Sequence, residues 1–247
     1  MCGRYHRTAT LPELAAFFQV DVPEDNLAFV PAYNIAPTTT QPIVRQQRDS
    51  NRRELVAARW GMIGHKQGPD PTKTTINARR ASLMHSDLWL EPFHCRRALI
   101  PSDGFYEWRK AIGGNKTTGE CWRFTLRTGG LFAFAGLWDA WRNPETNVWI
   151  QSFTIITVSP NALLAEVHNR MPAILQPKDY DEWLNCENTE QPPMHLLMPY
   201  ETTGMAKERA SRKVGQVRNQ GAELLRADDG IGAPISFAFS GSPVAST

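Results

Sequence analysis

The sequence predicts a single α+β domain with a mainly antiparallel, curled or barrel-like β core and a few flanking helices. The chain has 247 residues, of which 41% are hydrophobic, which suits one sizeable globular domain. Strand-like runs outnumber helical ones and do not alternate with them, which disfavours a parallel βαβ arrangement. We assign residues 1–226 to the domain. Residues 227–247 and the loop 68–73 are rich in small, polar or Pro residues, and we expect both to be flexible.

Caps and periodicity place the predicted elements. Helices are predicted over residues 11–20 and 160–168 and in the turns that begin at Pro177. Thr10 and Glu13 form a capping box for the first helix, and Ser159 caps the second. Strands are predicted at residues 41–45, 54–60, 97–100, 122–127, 131–137, 153–158 and 196–198. The turn at Thr128-Gly129-Gly130 predicts a hairpin that joins the fourth and fifth of these strands.

Charge is distributed unevenly along a chain whose formal net charge is only +2. Residues 1–80 hold 11 Lys or Arg against 7 Asp or Glu, and residues 207–218 hold five basic side chains and one acidic one. Such local clusters are typical of a basic groove for nucleic acid, although each taken singly is more simply explained as solvated surface charge.

Hydropathy and cysteine usage exclude other classes. No run approaches the roughly 18 apolar residues that a membrane span needs, and the first residues lack the apolar core of a secretory signal. We therefore expect a cytoplasmic protein with no membrane partner. The four cysteines are far apart and form no C-x-x-C pair, so we expect neither a metal site, a cofactor nor a disulfide framework. Cys95, Cys121 and Cys186 have apolar neighbours and are predicted to be buried, unreactive thiols.

Cys2 differs from the other cysteines because removal of Met1 would place an α-amine and a thiol on adjacent carbons. Their reference pKa values of about 7.7–8.0 and about 8.5 leave both groups partly nucleophilic near neutral pH. An aldehyde would form a Schiff base with the amine, and the thiol would then close a thiazolidine ring. A chance cysteine at position 2 is the simpler explanation if this feature stands alone.

Glu107 lies in the run Asp103-Gly-Phe-Tyr-Glu-Trp108, which follows a buried-looking strand. Flanking by Tyr106 and Trp108 would partly desolvate the carboxyl and raise its pKa toward neutrality, which suits proton transfer. The alternative is an exposed Glu beside two core aromatics. Trp108 is also the tryptophan best placed to stack on a base or to line the pocket.

Two further runs carry candidate polar groups. His168 falls at the predicted end of the second helix, where a protonated imidazole is favoured, and could donate a proton to a sugar ring oxygen. Arg170 and Arg79 could each hold a phosphate. Asn77 could orient the amine or thiol of Cys2. A helix-capping His and an Asn in a turn beside surface arginines are the alternatives.

Eight short motifs occur in one order along the chain. They are M-C-G-R at residues 1–4, Y-N-I-A-P at 33–37, R-W-G at 59–61, I-N-A-R at 76–79, D-G-F-Y-E-W at 103–108, A-G-L-W at 135–138, H-N-R-M-P at 168–172 and V-G-Q-V-R-N-Q-G at 214–221. Together they resemble the SOS response-associated peptidase (SRAP) family over nearly the whole chain.

This resemblance implies a function and a set of site residues. It implies a barrel-like α+β domain that binds single-stranded DNA in a basic channel, loses Met1 through its own peptidase activity or another's, and shields abasic sites through a reversible thiazolidine crosslink. We further expect a monomer that is associated with the nucleoid and that can also act as a lyase. By motif match, the catalytic residues are Cys2, Asn77, Glu107 and His168, and the DNA-binding residues are Arg4, Asn34, Arg79, Trp108 and Arg170.

The chain departs from the family pattern at three places. Ala81 stands where members often carry an acidic residue, and residues 62–73 lack the Trp-rich loop that some members place against DNA. Arg209-Ala-Ser211 replaces the usual P-V-S. The second difference leaves a preference for duplex junctions open.

Two other functions remain open from the sequence alone. An N-terminal-nucleophile amidohydrolase or peptidase would also use a processed Cys2, but it needs an oxyanion hole and a clamp for its substrate. A DNA-binding module with an incidental Cys2 would bind in a salt-dependent and never covalent manner.

Overall fold

The computed structural model describes residues 2–22, 29–47, 50, 52–67, 74–110, 117–187 and 190–226. The tail predicted at residues 227–247 and the loop predicted at residues 68–73 lie outside these ranges.

Most of the described chain is β-structure. The strands are β1 (Tyr5–Arg7), β2 (Ala32–Ile35), β3 (Thr40–Gln46), β4 (Arg53–Trp60), β5 (Asn77–Arg79), β6 (Arg97–Ser102), β7 (Gly104–Lys110), β8 (Thr117–Leu126), β9 (Phe132–Arg142), β10 (Trp149–Val158), β11 (Met171–Pro172), β12 (Ile174–Leu175) and β13 (Met205–Arg209). The α-helices are α1 (Leu11–Phe18), α2 (Leu90–Cys95), α3 (Ala162–Ala165) and α4 (Tyr180–Leu184). Short 3₁₀ turns cover Arg80–Ser82, Pro177–Asp179, Met194–Leu196, Thr202–Gly204, Arg212–Gly215 and Ala222–Leu225.

The strands form two sheets. One has five strands in the order β13-β8-β7-β1-β2, and all of its pairs are antiparallel. The other has eight strands and closes on itself, because β9 pairs with both β6 and β10 while β10 also pairs with β4. Only the pairs that β10 makes with β4 and β5 are parallel within the described sheets. The predicted α+β class with a barrel-like, mainly antiparallel core is confirmed.

Aromatic side chains join the two sheets in one core. Tyr5 of β1 packs edge-on against Trp60 and Phe134, with ring centroids 5.2 and 5.8 Å apart. Phe105 and Phe124 stack at 5.2 Å on the inner face of the five-stranded sheet. All five rings are at most 1% exposed, and burial of such side chains contributes about 1.5–3 kcal/mol each. The first strand is therefore anchored by Tyr5, its first residue, which fixes the chain that precedes it.

The starts of the predicted helices match the observed ones better than their ends do. Thr10 and Glu13 form the predicted capping box, but α1 ends at Phe18 because Gln19 adopts a left-handed conformation. The helix predicted over residues 160–168 is wrong in extent, since α3 has one turn and is capped by Asn161 instead of Ser159. The turns that begin at Pro177 are confirmed, and α2 was not predicted. None of the described helices has the length and apolarity to cross a bilayer.

Two strand predictions are corrected by the pairing. Gly129 and Gly130 do form a turn with positive φ, but β8 and β9 on either side of it belong to different sheets, so the turn is not a hairpin. Residues 196–198 are not a strand, because Met194–Leu196 form a 3₁₀ turn directly after two prolines. The other predicted strands all overlap observed ones.

The three remaining cysteines differ in burial. Cys121 is buried as predicted, and burial raises the pKa of its thiol to about 12. Cys95 and Cys186 are only partly buried, which corrects the prediction for them: Cys95 is the last residue of α2, and Cys186 lies two residues beyond the end of α4.

Candidate functional site

Cys2 lies fully buried between the two sheets. Its carbonyl oxygen accepts a hydrogen bond of 2.9 Å from Asn77 Nδ2 on β5, which belongs to the closed sheet. Burial and then the negative charge of Glu107 on the other sheet raise the pKa of the Cys2 thiol above its ordinary value. Burial therefore keeps the proton on sulfur in this environment, and the thiol needs a base to take it. Partial ionisation of the terminus without Met1 stays a prediction.

Asp103 and Gly104 hold β1, the strand that follows Cys2 in the chain. In β1, His6 pairs with Gly104, and its Nδ1 contacts the Asp103 carboxylate. Asp103 also accepts a hydrogen bond of 2.7 Å from the Thr8 N–H. A Cβ on Gly104 would come within 2.2 Å of His6 Nε2, so only glycine allows the imidazole this close to the backbone. These contacts fix the register of β1 on β7 and with it the position of Cys2.

Glu107 lies on β7 with 4% of its surface exposed. Its partner across the strand pair is Trp122 of β8, and residues directly opposed in an antiparallel pair share a face of the sheet. Tyr106 and Trp108 pair with Arg123 and Cys121 and lie on the other face. The expectation that Tyr106 and Trp108 desolvate the Glu107 carboxyl is therefore wrong. Trp122 is the aromatic residue beside it, and sequence reasoning missed it.

Asn77 is positioned by the strand that it begins. Trp60 Nε1 donates a hydrogen bond of 3.0 Å to the carbonyl of Ile76, and β5 pairs with β10 through the next residues. The side chain is 8% exposed, and its Oδ1 is buried without a hydrogen-bond donor among the described residues. An acceptor in this position is suited to an amine or hydroxyl group brought in beside Cys2.

His168 lies three residues beyond α3, in a turn and not at the end of a helix as predicted. Its ring is 6% exposed, and Nδ1 accepts a hydrogen bond of 3.1 Å from the N–H of Arg170. The same nitrogen also lies 3.2 Å from the Arg170 carbonyl oxygen. A neutral imidazole that accepts from the Arg170 N–H at Nδ1 carries its proton on Nε2 and can donate from that atom.

Arginines surround a pocket of about 170 Å³ where β5, β10 and the turn at residues 168–170 meet. Its lining includes Arg79, Arg80 and Arg170 and contains no acidic residue. Arg170 donates from Nε to Thr157 Oγ1 at 3.1 Å, and burial and then the charge of Arg79 lower the pKa of Arg170. An anion between these guanidinium groups would relieve their repulsion, which makes the pocket a candidate phosphate site.

Arg4, Asn34 and Trp108 lie together on the outer face of the five-stranded sheet. Arg4 Nη1 donates to Asn34 Oδ1 at 2.7 Å and to the Val214 carbonyl at 2.6 Å, and its guanidinium lies 5.6 Å from the Trp108 ring centroid. The amide of Asn34 donates in turn to the carbonyls of Val214, Gln216 and Asn219. Asn34 is fully buried, so its predicted contact with DNA is corrected to a structural role in holding the C-terminal segment.

The structure thus brings Cys2, Asn77 and Glu107 near one another in the buried space between the sheets. Asn169 and Arg170 line the pocket together with Arg79, and His168 lies next to them in the chain but outside that lining. The fold and site define a single-domain α+β protein whose second residue is held beside a buried carboxyl group at the junction of two sheets. Comparisons with known proteins identify this class more closely.

The profile of the SOS response associated peptidase (SRAP) family matches residues 1–217. The chain is 34% identical over 239 residues to "Abasic site processing protein YoqW" of Bacillus subtilis, which covers 92% of this chain and all of that relative. It is 29% identical to "Abasic site processing protein HMCES" of Gallus gallus over 79% of this chain and 66% of that one. A crystal structure of a protein from Bacteroides thetaiotaomicron superposes with a TM-score of 0.79 at 24% identity, covering 92% of this chain and 99% of that one, which shows the shared fold. The chain belongs to the SRAP family.

Proposed function

We propose that this protein captures abasic sites in single-stranded DNA by forming a covalent thiazolidine through Cys2 after Met1 has been removed. The relatives described above are named for processing abasic sites, and an abasic site differs from intact DNA by its latent aldehyde. The observation that carries the proposal is the placement of Cys2, with Asn77 on its carbonyl and the Glu107 charge acting on its sulfur.

The bonds balance without a cofactor or an oxidant. The α-amine nitrogen adds to the aldehyde carbon of the opened deoxyribose, and loss of one water gives an imine. The Cys2 sulfur then adds to the imine carbon, and the thiol proton ends on the ring nitrogen. The sum is aldehyde plus N-terminal cysteine to thiazolidine plus water. An imine that the thiol does not trap acidifies the neighbouring C2′ position, so strand cleavage by elimination is the competing lyase reaction.

Three buried polar side chains have a task in this reaction. Glu107 transfers protons during imine formation and accepts the thiol proton, which burial otherwise keeps on sulfur. Asn77 Oδ1 accepts a hydrogen bond from the new α-amine and aims its lone pair at the aldehyde. His168 donates from Nε2 to the ring oxygen of the sugar, which opens the ring.

The DNA is held mainly through its phosphates. Arg79 and Arg170 contact the phosphate next to the abasic sugar, and Arg80 extends the same positive pocket. Trp108 is partly buried and offers one edge of its indole to a neighbouring base, backed by Arg4. Asn34 makes no DNA contact in this proposal and acts by holding the C-terminal segment beneath Arg4.

One experiment tests the covalent step directly. The purified protein is incubated with a single-stranded oligonucleotide that contains one abasic site, and the products are analysed on a denaturing gel and by intact-mass measurement. We expect an adduct whose mass is the sum of the DNA and the Met1-free chain minus one water. Cys2→Ser should abolish the stable adduct, whereas Cys186→Ser, which changes a thiol outside the site, should leave its yield unchanged.

Other outcomes point to other functions. An equally stable adduct from Cys2→Ser, or from a chain that retains Met1, contradicts the thiazolidine chemistry. Salt-dependent binding that denaturation fully reverses indicates a non-covalent DNA-binding module. Hydrolysis of an amide substrate without any adduct indicates the N-terminal-nucleophile amidohydrolase or peptidase. The proposed self-processing activity is tested by incubating purified chain that still carries Met1 and measuring by mass spectrometry whether Met1 is lost.

A further inference from the structure

Trp122 lies on the inner face of the five-stranded sheet, between side chains of the two neighbouring strands. Glu107 lies directly opposite it on β7, and Arg209 lies directly opposite it on β13. Side chains in such positions have Cβ atoms about 4.5–5.5 Å apart, so the indole separates the carboxyl on one side from the guanidinium on the other. Trp122 therefore lies between two ionisable side chains of opposite charge.

Three cations hold the indole in place. The charged groups of Lys207, Arg209 and Arg109 lie 4.8, 5.0 and 5.4 Å from the Trp122 ring centroid. Contacts of this kind are most favourable with Trp among the aromatic residues. The described residues contain no other ring with three cations around it. The indole Nε1 is buried and has no hydrogen-bond acceptor in the described part of the chain.

The cations are themselves anchored by carboxylates. Arg209 and Arg109 both approach Glu120, at 3.0 and 3.4 Å, and Lys207 contacts Glu166. The cluster is therefore a fixed array of charges around a ring whose residue lies directly opposite Glu107 in the strand pair.

We propose that Trp122 is a positioning residue for Glu107. Its indole shields one side of the Glu107 carboxyl from water, and the surrounding cations hold the ring and favour the ionised form of that carboxyl. This assignment rests on the proposed function, in which Glu107 transfers protons to and from Cys2 and the abasic sugar. Trp122 acts through Glu107 and does not itself contact the reacting atoms.

The two parts of the cluster have opposite effects on a carboxyl. Exclusion of water disfavours the ionised form, whereas nearby positive charge favours it. Removal of the indole should therefore make Glu107 ionise at lower pH, and removal of a cation should make it ionise at higher pH. A residue with a purely structural role would reduce stability or yield and would not produce shifts of opposite sign.

The test is the pH dependence of the rate of adduct formation on abasic single-stranded DNA, from about pH 5 to about pH 9. The reporter is the limb of the profile that disappears in Glu107→Gln. We expect Trp122→Leu to move this limb to lower pH by on the order of one unit, and Arg209→Gln to move it to higher pH by a smaller amount. Trp122→Phe keeps an aromatic ring and should give a shift intermediate between wild type and Trp122→Leu.

The matched control is Arg123→Gln, which removes a guanidinium from the residue next to Trp122 but on the opposite face of β8. Its limb should coincide with that of wild type. If circular dichroism shows that Trp122→Leu does not fold, Trp122→Phe and Arg209→Gln decide the question, because they should move the Glu107-dependent limb in opposite directions. Shifts of the same sign, or no shift, overturn the role of Trp122 while the wild-type adduct stands. Absence of an adduct from wild type overturns the proposed function instead.

Discussion

Two groups of cations flank the candidate site, and they differ in what neutralises them. Arg79, Arg80 and Arg170 surround a pocket whose lining contains no acidic residue, and none of the three forms a salt bridge within the described residues. The cations around Trp122 are each within 3.4 Å of a carboxylate. The first group therefore offers uncompensated charge, and the second is internally balanced.

This difference indicates separate tasks for side chains of the same type. A phosphate that enters the pocket relieves the repulsion by which Arg79 lowers the pKa of Arg170. A phosphate that approaches the Trp122 cluster must first displace a carboxylate, so its gain is offset by the ion pair that it breaks. We therefore expect the pocket to bind DNA and the cluster to organise the protein, and three changes in charge test that division.

The largest effect is expected from the double substitution Arg79→Gln/Arg170→Gln. Loss of two phosphate contacts should weaken binding of single-stranded DNA about tenfold or more at low salt, and should reduce the slope of log affinity against log salt by about 1.4. Fluorescence anisotropy over a series of salt concentrations measures both quantities. Arg79→Lys/Arg170→Lys keeps the charge and should keep the slope. An unchanged slope in the Gln variant would place the DNA elsewhere.

A smaller effect in the opposite direction is expected from Glu120→Gln. This change removes the carboxylate shared by Arg109 and Arg209, so the balanced cluster becomes more like the pocket. Affinity for undamaged single-stranded DNA should rise about two- to threefold at low salt and return to the wild-type value at high salt. Glu54→Gln makes the same change in net charge beside Arg45 on the other sheet. An equal rise in that control would mean that total charge, and not the cluster, is responsible.

The sequence predicted the fold class and the family because ordered motifs and strand alternation are local signals. Both Asn77 and Cys2 lie in such motifs, and the Asn77 amide does hydrogen-bond the Cys2 carbonyl, while its predicted contact with the amine or thiol stays a prediction. It did not predict which face of a strand a residue occupies. Adjacency in sequence predicts Tyr106 and Trp108 as the neighbours of the Glu107 carboxyl, yet successive strand residues point to opposite faces.

Long-range pairing explains the other differences from the sequence predictions. Trp122 lies 15 positions from Glu107 in the chain, and only the register of β7 on β8 makes them neighbours. The turn at Gly129 and Gly130 has the local signature of a hairpin, but the choice of partner strands sends the chain into the other sheet. Asn34 belongs to a motif associated with DNA contact, and its burial follows from the return of the C-terminal segment 180 to 185 residues later.

The smallest effect is expected from Arg209→Gln on stability and DNA binding. The side chain is 39% exposed, and loss of one cation–π contact and one ion pair should lower the free energy of unfolding by only about 0.5–1 kcal/mol. The salt slope of DNA binding should not change, because the cation is already balanced by Glu120. Urea unfolding and the anisotropy series measure the two quantities, with Arg209→Lys as the variant that keeps the charge. A fall in slope as large as that of the pocket variant would show that Arg209 binds phosphate, and the two groups of cations would then form one continuous DNA surface.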